Sequence, residues 1–372
     1  MLRRVKGTER RIILALCSAL AASSGAAAQP ASARAKAAPA TVELANEKLS
    51  FTIGLNGGRF LKLALRGAEP LSPFAPMGHF LALDGFGAPS KEEQAAGLPF
   101  HGEASKTTAE LISINSSGAV RSAVLRSRLP LAQEILTRTV EIASGENVVY
   151  VTSELESELA VDRPVCWAEH ATLGPPFLEP GKLVVDMPAT RCRVRAEKAG
   201  STGKLAYLQD FTWPLAPLTK GGFISLLHVP EGETSLDLAS CLMDPALTYG
   251  WITALRGDQR LLFGYVFARQ DYPWVMSWMN YSGDERAARG IEFSTQPFDV
   301  SRREAVDEHE MFGERTYKWL PAKSKLRTRF LLFYTQVPDD FGDVAKVSFT
   351  NRQVIIQDKA GRSVVLAARL GL

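Results

Sequence analysis

Apolar and polar residues alternate along this chain in short runs, and the period is two. Residues 135–142 read Ile-Leu-Thr-Arg-Thr-Val-Glu-Ile, the pattern of a strand with one face buried. Residues 146–152, 183–186, 261–267, 326–335 and 354–357 are likewise short and rich in β-branched and aromatic residues, which suit a pleated, half-buried surface. Turn signals separate them at Asn56-Gly57-Gly58, Ser144-Gly145, Gly221-Gly222, Arg256-Gly257-Asp258, Ser282-Gly283-Asp284 and Lys359-Ala360-Gly361. Helical patterning is confined to residues 91–96 and 341–345. Many short strands broken by turn chemistry predict an all-β fold, a large antiparallel β-sandwich. No fixed-period repeat supports a propeller or solenoid. The Pro-rich patches at 70–76 and 175–180 are too short and too apolar to be linkers, so residues 41–372 are expected to form a single domain.

The N-terminus departs from this pattern. Arg3, Arg4, Lys6, Arg10 and Arg11 face the single acid Glu9, an apolar run covers residues 12–22, and small residues lead to Ala26-Ala27-Ala28-Gln29. A basic region, a short apolar region and an A-x-A site in that order predict a signal peptide over residues 1–28 and an exported, periplasmic or secreted protein. The apolar run is shorter than the roughly 20 residues a membrane-spanning helix needs. Arg10-Arg11 hints at twin-arginine export without the flanking consensus. Residues 29–40 are Ala/Pro-rich and read as a disordered spacer. Removing residues 1–28 takes away five bases and one acid, so the formal charge falls from +3 to about −1. The basic balance of the full chain therefore belongs largely to the leader and indicates no nucleic-acid partner.

Beyond the leader stand Cys166, Cys192 and Cys241. Their odd number implies at least one free thiol, and their spacing resembles no zinc site. Stability is expected from the core rather than from covalent staples. There is no G-x-S-x-G elbow, P-loop, H-E-x-x-H or dinucleotide fingerprint, and Glu308-His309-Glu310 reads as a solvated turn.

Three segments set an ionisable residue among aromatics, Gly and Pro, the composition of a rigid, partly apolar cleft. They are residues 98–104, with His101; residues 166–177, with Glu169 and His170; and residues 290–298, with Glu292 and Gln296. In order and surroundings they resemble the galactose mutarotase-like (aldose 1-epimerase) superfamily, which shows a Pro-x-His-Gly segment, a His-Pro-x-Phe-like segment and a later Glu near a Gln and a Pro. The counterparts are Pro99-Phe100-His101-Gly102, Glu169-His170 running into Pro175-Pro176-Phe177, and Glu292 with Gln296-Pro297. The separations of 69 and 122 residues between the ionisable groups suit the family. Residues 77–87 stand where hexose-phosphate epimerases of this superfamily carry a Gly-rich, aromatic substrate loop, which implies His79 and Asp84 at the rim of the site. The G-R-x-x-N-R segment, which supplies an upstream sugar-binding Arg in galactose mutarotases, has no counterpart. The chain thus resembles a divergent branch.

The resemblance implies an isomerase of carbohydrate metabolism that interconverts the α and β anomers of a hexose, with a small-molecule carbohydrate as its partner. Opening the hemiacetal needs a base for the C1 hydroxyl proton and an acid for the ring oxygen, roles suited to a carboxylate and an imidazole that titrate near working pH. On the family pattern Glu292 is the base, His170 the acid, and His101 hydrogen-bonds the sugar. Residues two apart on a strand share a face, so Gln296 is expected beside Glu292, and Trp278 offers a stacking surface, as Trp274 also could. Neither a metal nor an organic cofactor is needed. The alternative is a carbohydrate-binding protein of the same fold that lacks turnover. A glycosidase would need two facing carboxylates, whereas a strand over 167–171 points Glu169 away from the face of His170. A phosphorylated sugar is disfavoured, because no Arg cluster marks a phosphate site.

Overall fold

The computed structural model describes residues 40–67, 71–198, 201–231, 234–284 and 286–372, so the predicted leader and nearly all of the spacer lie outside the described residues. The expected alternation takes its clearest form in Glu134–Ala143, whose side chains are buried at every second position. This strand and its hairpin partners Val120–Leu129 and Val148–Ser157 belong to an antiparallel sheet of eight strands. The sheet continues through Lys325–Gln336, Leu261–Ala268 and Tyr249–Arg256 to Leu183–Asp186. Its middle strands are buried on both faces. A three-stranded meander, Val344–Thr350, Gln353–Asp358 and Ser363–Ala367, covers the outer face with Val347, Val354, Ile356 and Leu366 against Tyr150, Leu262, Leu331 and Phe333. That cover explains why residues 330–334 read as an unbroken apolar run.

A second antiparallel sheet, of nine strands, faces the inner side of the first. Its central path runs Asp210–Thr212, Ala189–Val194, Ser235–Met243, Trp274–Tyr281, Glu292–Ser294, Trp167–His170 and Phe80–Leu83. The core lies between the sheets, where Phe293 stacks on Phe267 with ring centroids 4.6 Å apart and meets Tyr265 and Phe330 at 5.1 Å each. The architecture is an all-β sandwich.

One polar cluster interrupts this core. The fully buried Glu169 carboxylate accepts hydrogen bonds from Arg138 across the sandwich (2.9 Å), from His79 (2.8 Å) and from the Trp167 indole (3.1 Å). Burial alone would raise this carboxyl, but Arg138 and the His79 bond outweigh burial and hold it down at about 2. Burial pushes His79 below its ordinary value, so the stable charge pair is Arg138–Glu169. Such a pair is strongly destabilising to break from one side, because an uncompensated buried charge is left behind.

Three expectations are corrected. Residues 341–345 form no helix; Val344 opens the meander instead. A helix absent from the sequence reading spans Arg302–Glu308, started by a capping box in which Ser301 and Glu304 exchange hydrogen bonds, an S-x-x-E signature present in the sequence. And one staple exists: Cys192 and Cys241, directly opposite on neighbouring strands, form a disulfide, while Cys166 is buried and free. Register brings the two thiols together, which spacing alone could not show. Among the described residues no helix is long and apolar enough to cross a membrane.

Candidate active site on the outer face of the second sheet

Phe293 and Glu169 point into the sandwich, so their chain neighbours Glu292 and His170 emerge on the outer face of the nine-stranded sheet. Strands Trp167–His170 and Glu292–Ser294 pair directly, and Phe80–Leu83 pairs on the other side of the first. Phe80, Ala82, Ala168, Leu238 and Met276 give this outer face an apolar floor, and Phe86 and Phe298 cover it from the loops. A cavity of about 420 Å³ remains, lined among others by Arg59, Phe80, Phe100, His101, Lys106, His170, Trp278, Glu292 and Asp299.

His170 stacks on Phe80 with ring centroids 4.2 Å apart, and its Nε2 stands 3.5 Å from Glu292 Oε1. Neither Glu292 oxygen nor His170 Nδ1 has a hydrogen-bond partner, although both residues are buried. Buried polar atoms are normally paired, so three lone ones around one cavity are suited to an incoming polar ligand. Gly290 makes room for the carboxylate: a Cβ there would lie 2.5 Å from Glu292 Oε1 and 2.8 Å from Trp278 Cβ.

His101 reaches the site from a loop. Its backbone is left-handed (φ 65°), as is that of Gly102 (φ 70°), where a Cβ would run into the Leu83 carbonyl oxygen. The Gly87 N–H donates to His101 Nδ1 over 3.1 Å. Nδ1 is therefore unprotonated, and the neutral ring carries its proton on Nε2 as a donor. Its ring meets that of His170 edge-on at 5.1 Å.

Burial sets the electrostatics. It drives His101 down to about 4, with the charges of Lys106, Arg59 and Lys198 helping. It holds His170 well below its ordinary value, with His101, His79 and Arg59 as lesser causes. Glu292 is raised well above the usual carboxylate range by burial and then by the Asp299 charge. Both imidazoles are thus neutral near pH 7, and Glu292 is a far stronger base than an exposed carboxylate. A carboxylate and an imidazole in contact, with displaced proton affinities, can pass protons to and from a bound hydroxyl and ether oxygen. Among the described residues no group of three or more His, Cys, Asp or Glu is placed to hold a metal ion.

His101, His170, Glu292 and Trp278 therefore line one cavity, and His79, Asp84 and Gln296 do not. His79, expected at the rim, is fully buried between the sheets, bonded to Tyr265 as well as Glu169. It immediately precedes strand Phe80–Leu83, and the alternation that turns Phe80 outward turns His79 inward. Asp84 is buried outside this cavity, paired with Arg163 and, at 3.4 Å, with Arg302. Gln296 is buried, its amide donating to the Phe298 and Val300 carbonyls at 2.7 and 3.3 Å, so it shapes the turn that carries Asp299. Trp274 is fully buried in the apolar floor.

Sequence reading missed Arg59, Lys106, Asp299 and the exposed Phe100. Arg59 comes from the strand Arg59–Leu65; its guanidinium lies 4.9 Å over the Phe80 ring and donates to the Ser105 carbonyl at 3.1 Å. An arginine thus reaches the cavity without the G-R-x-x-N-R segment. The only advance signal was its place beside the Asn56-Gly57-Gly58 turn.

No family model matches the sequence, and no curated protein matches it either. Solved structures do. A galactose mutarotase-like protein from Clostridium acetobutylicum is 13% identical with a TM-score of 0.57, covering 80% of this chain and 95% of that one. A galactose mutarotase related enzyme from Lactobacillus acidophilus is 12% identical with a TM-score of 0.55, over 80% and 98% of the two chains. A galactose mutarotase-like protein from Lactobacillus casei is 11% identical, also at 0.55, over 79% and 100%. At such identities the likeness is one of fold, and this chain is a divergent bearer of the galactose mutarotase-like β-sandwich.

Proposed function

We propose that this protein is an aldose 1-epimerase-like enzyme that opens and recloses the ring of a hexose. The observation that carries the reading is the buried His170–Glu292 pair with its unpartnered atoms at the wall of one cavity. In the sugar complex the single proton of the pair sits on His170, so that ionised Glu292 takes the proton from the C1 hydroxyl as the His170 imidazolium delivers its own to the ring oxygen. The C1–ring oxygen bond breaks, C1 becomes the carbonyl of an open aldehyde, and rotation about C1–C2 presents its other face. Reclosure reverses the two roles and returns both protons. His101, donating from Nε2, holds a sugar hydroxyl within reach, and Trp278 and Phe100 offer faces to the apolar side of a pyranose. Two proton transfers balance the reaction.

Two features support a site of action outside the cytoplasm: the predicted leader and the Cys192–Cys241 disulfide, a bond that persists in oxidising compartments. The test of function is polarimetry on the purified domain with freshly dissolved α-anomers. Faster mutarotation than the spontaneous rate is expected. Sugar binding by calorimetry without acceleration would favour the binding-protein alternative, and absence of both would end the carbohydrate reading.

A further inference from the structure

The mouth of the cavity is cationic. Lys106 is exposed there, and among the described residues its ammonium has no ion-pair partner. Arg59 donates to the neutral carbonyls of Met77 and Ser105, which leave its charge uncompensated. Asp299, also in the lining, already has two cations, Lys198 at 2.8 Å and Arg195 at 3.2 Å. Two further cations, Arg59 and Lys106, therefore flank the acid–base pair. Their field reaches the chemistry, since both help to hold His101 in its neutral form.

Building on the ring-opening reading of this cavity, we propose that its substrate is an aldose carrying one negative charge, a hexuronate whose carboxylate pairs with Lys106 in the field of Arg59. In a hexuronate the carboxylate hangs on C5, the carbon bonded to the ring oxygen. Its counter-charge must then share a cavity with the group that serves that oxygen, as Lys106 and Arg59 share one with His170. A phosphate suits the site less well. Phosphate sites converge several donors, such as Arg forks or backbone N–H groups, on one dianion. Here the Arg59 fork is committed to two carbonyls and the Gly87 N–H is committed to His101.

The test compares glucuronate and galacturonate with glucose, galactose and their 6-phosphates, by anomerisation rate at low and high salt and by calorimetry. A hexuronate should surpass its neutral parent in kcat/KM by about tenfold or more, the scale of a hydrogen bond to a charged group. That ratio should shrink with added salt, which screens charges at an exposed mouth. It should collapse in Lys106→Ala and fall further in Lys106→Glu, with unchanged thermal melting showing that both variants fold. Equal use of neutral and charged sugars, preference for the 6-phosphates, or a ratio unmoved by either Lys106 variant would overturn the proposal. If no aldose is turned over, the ring-opening reading fails by itself. Calorimetry then decides this one: hexuronate binding weakened about tenfold by Lys106→Glu supports it, and equal affinity for the neutral sugars overturns it.

Discussion

His170 and Glu292 come from segments 122 residues apart, lie on directly paired strands, and stand with Nε2 and Oε1 3.5 Å apart. Burial shifts the proton affinities of this pair in opposite directions, the imidazole down and the carboxyl up. The raised carboxyl is the better base for a hydroxyl proton, and the lowered imidazolium is the better acid for a ring oxygen.

Replacing Glu292 by Gln keeps the shape and removes the proposed base. Anomer interconversion should fall by about 10²–10⁴-fold, the usual contribution of a general base, while calorimetric sugar affinity changes little. The double variant with His170→Asn should lose far less than the product of the single losses, since the two groups act on one event. Full activity in Glu292→Gln would place the base elsewhere.

The same substitution should stabilise the fold. A carboxyl raised above 4.5 on folding contributes stability at low pH and loses it as pH rises through its folded value. Melting temperatures of Glu292→Gln and wild type should therefore be close near pH 4 and diverge in favour of the variant as pH rises. In parallel, the acid limb of kcat/KM should titrate above the ordinary carboxylate range. A limb at about 4.5 or below would show that Glu292 is not raised in the free enzyme.

Gly290 and Gly102 should fail differently. Gly290→Ala sets a methyl against the Glu292 carboxylate and Trp278, so activity should vanish while stability drops by about 1–3 kcal/mol, as for overpacking. Gly102→Ala meets a backbone carbonyl in a left-handed conformation and should prevent correct folding of the His101 loop. Thermal melting and polarimetry on the two variants separate the cases.

Arg138→Met should cost about 3–5 kcal/mol in chemical denaturation, because Glu169 would keep a buried, uncompensated charge. The companion Arg138→Met/Glu169→Gln should recover much of that loss. If it recovers none, the pair is not what Arg138 supplies.

The sandwich was legible because strand alternation is written at single-residue resolution: residues 183–186 begin and end where the strand does, and residues 135–142 fall within one residue of it at each end. His101, His170 and Glu292 were legible as chemistry set among Gly, Pro and aromatics. Their convergence came from the family resemblance, since no local pattern encodes a contact across 122 residues. Placing His79 and Asp84 at the rim failed for a physical reason. Proximity along the chain was read as proximity in space, whereas His79, just before the strand, turns into the core and Asp84, just after it, turns aside to Arg163 and Arg302. Arg59 was hidden for the converse reason: a long side chain on another strand reaches a cavity to which its own segment, beyond the adjoining turn, gives no clue.

Glu169 and His170 show how tightly such a sheet is constrained. One peptide unit separates a core anion, neutralised by an arginine of the opposite sheet, from the imidazole beside Glu292. Sliding Trp167–His170 by a single position against its neighbours would exchange them, leaving the carboxylate in the cavity and the imidazole opposite Arg138. Insertions or deletions of one residue between 165 and 170 should thus be lethal twice over. Length variation among descendants of this sequence is expected to be confined to exposed turns such as Gly221-Gly222.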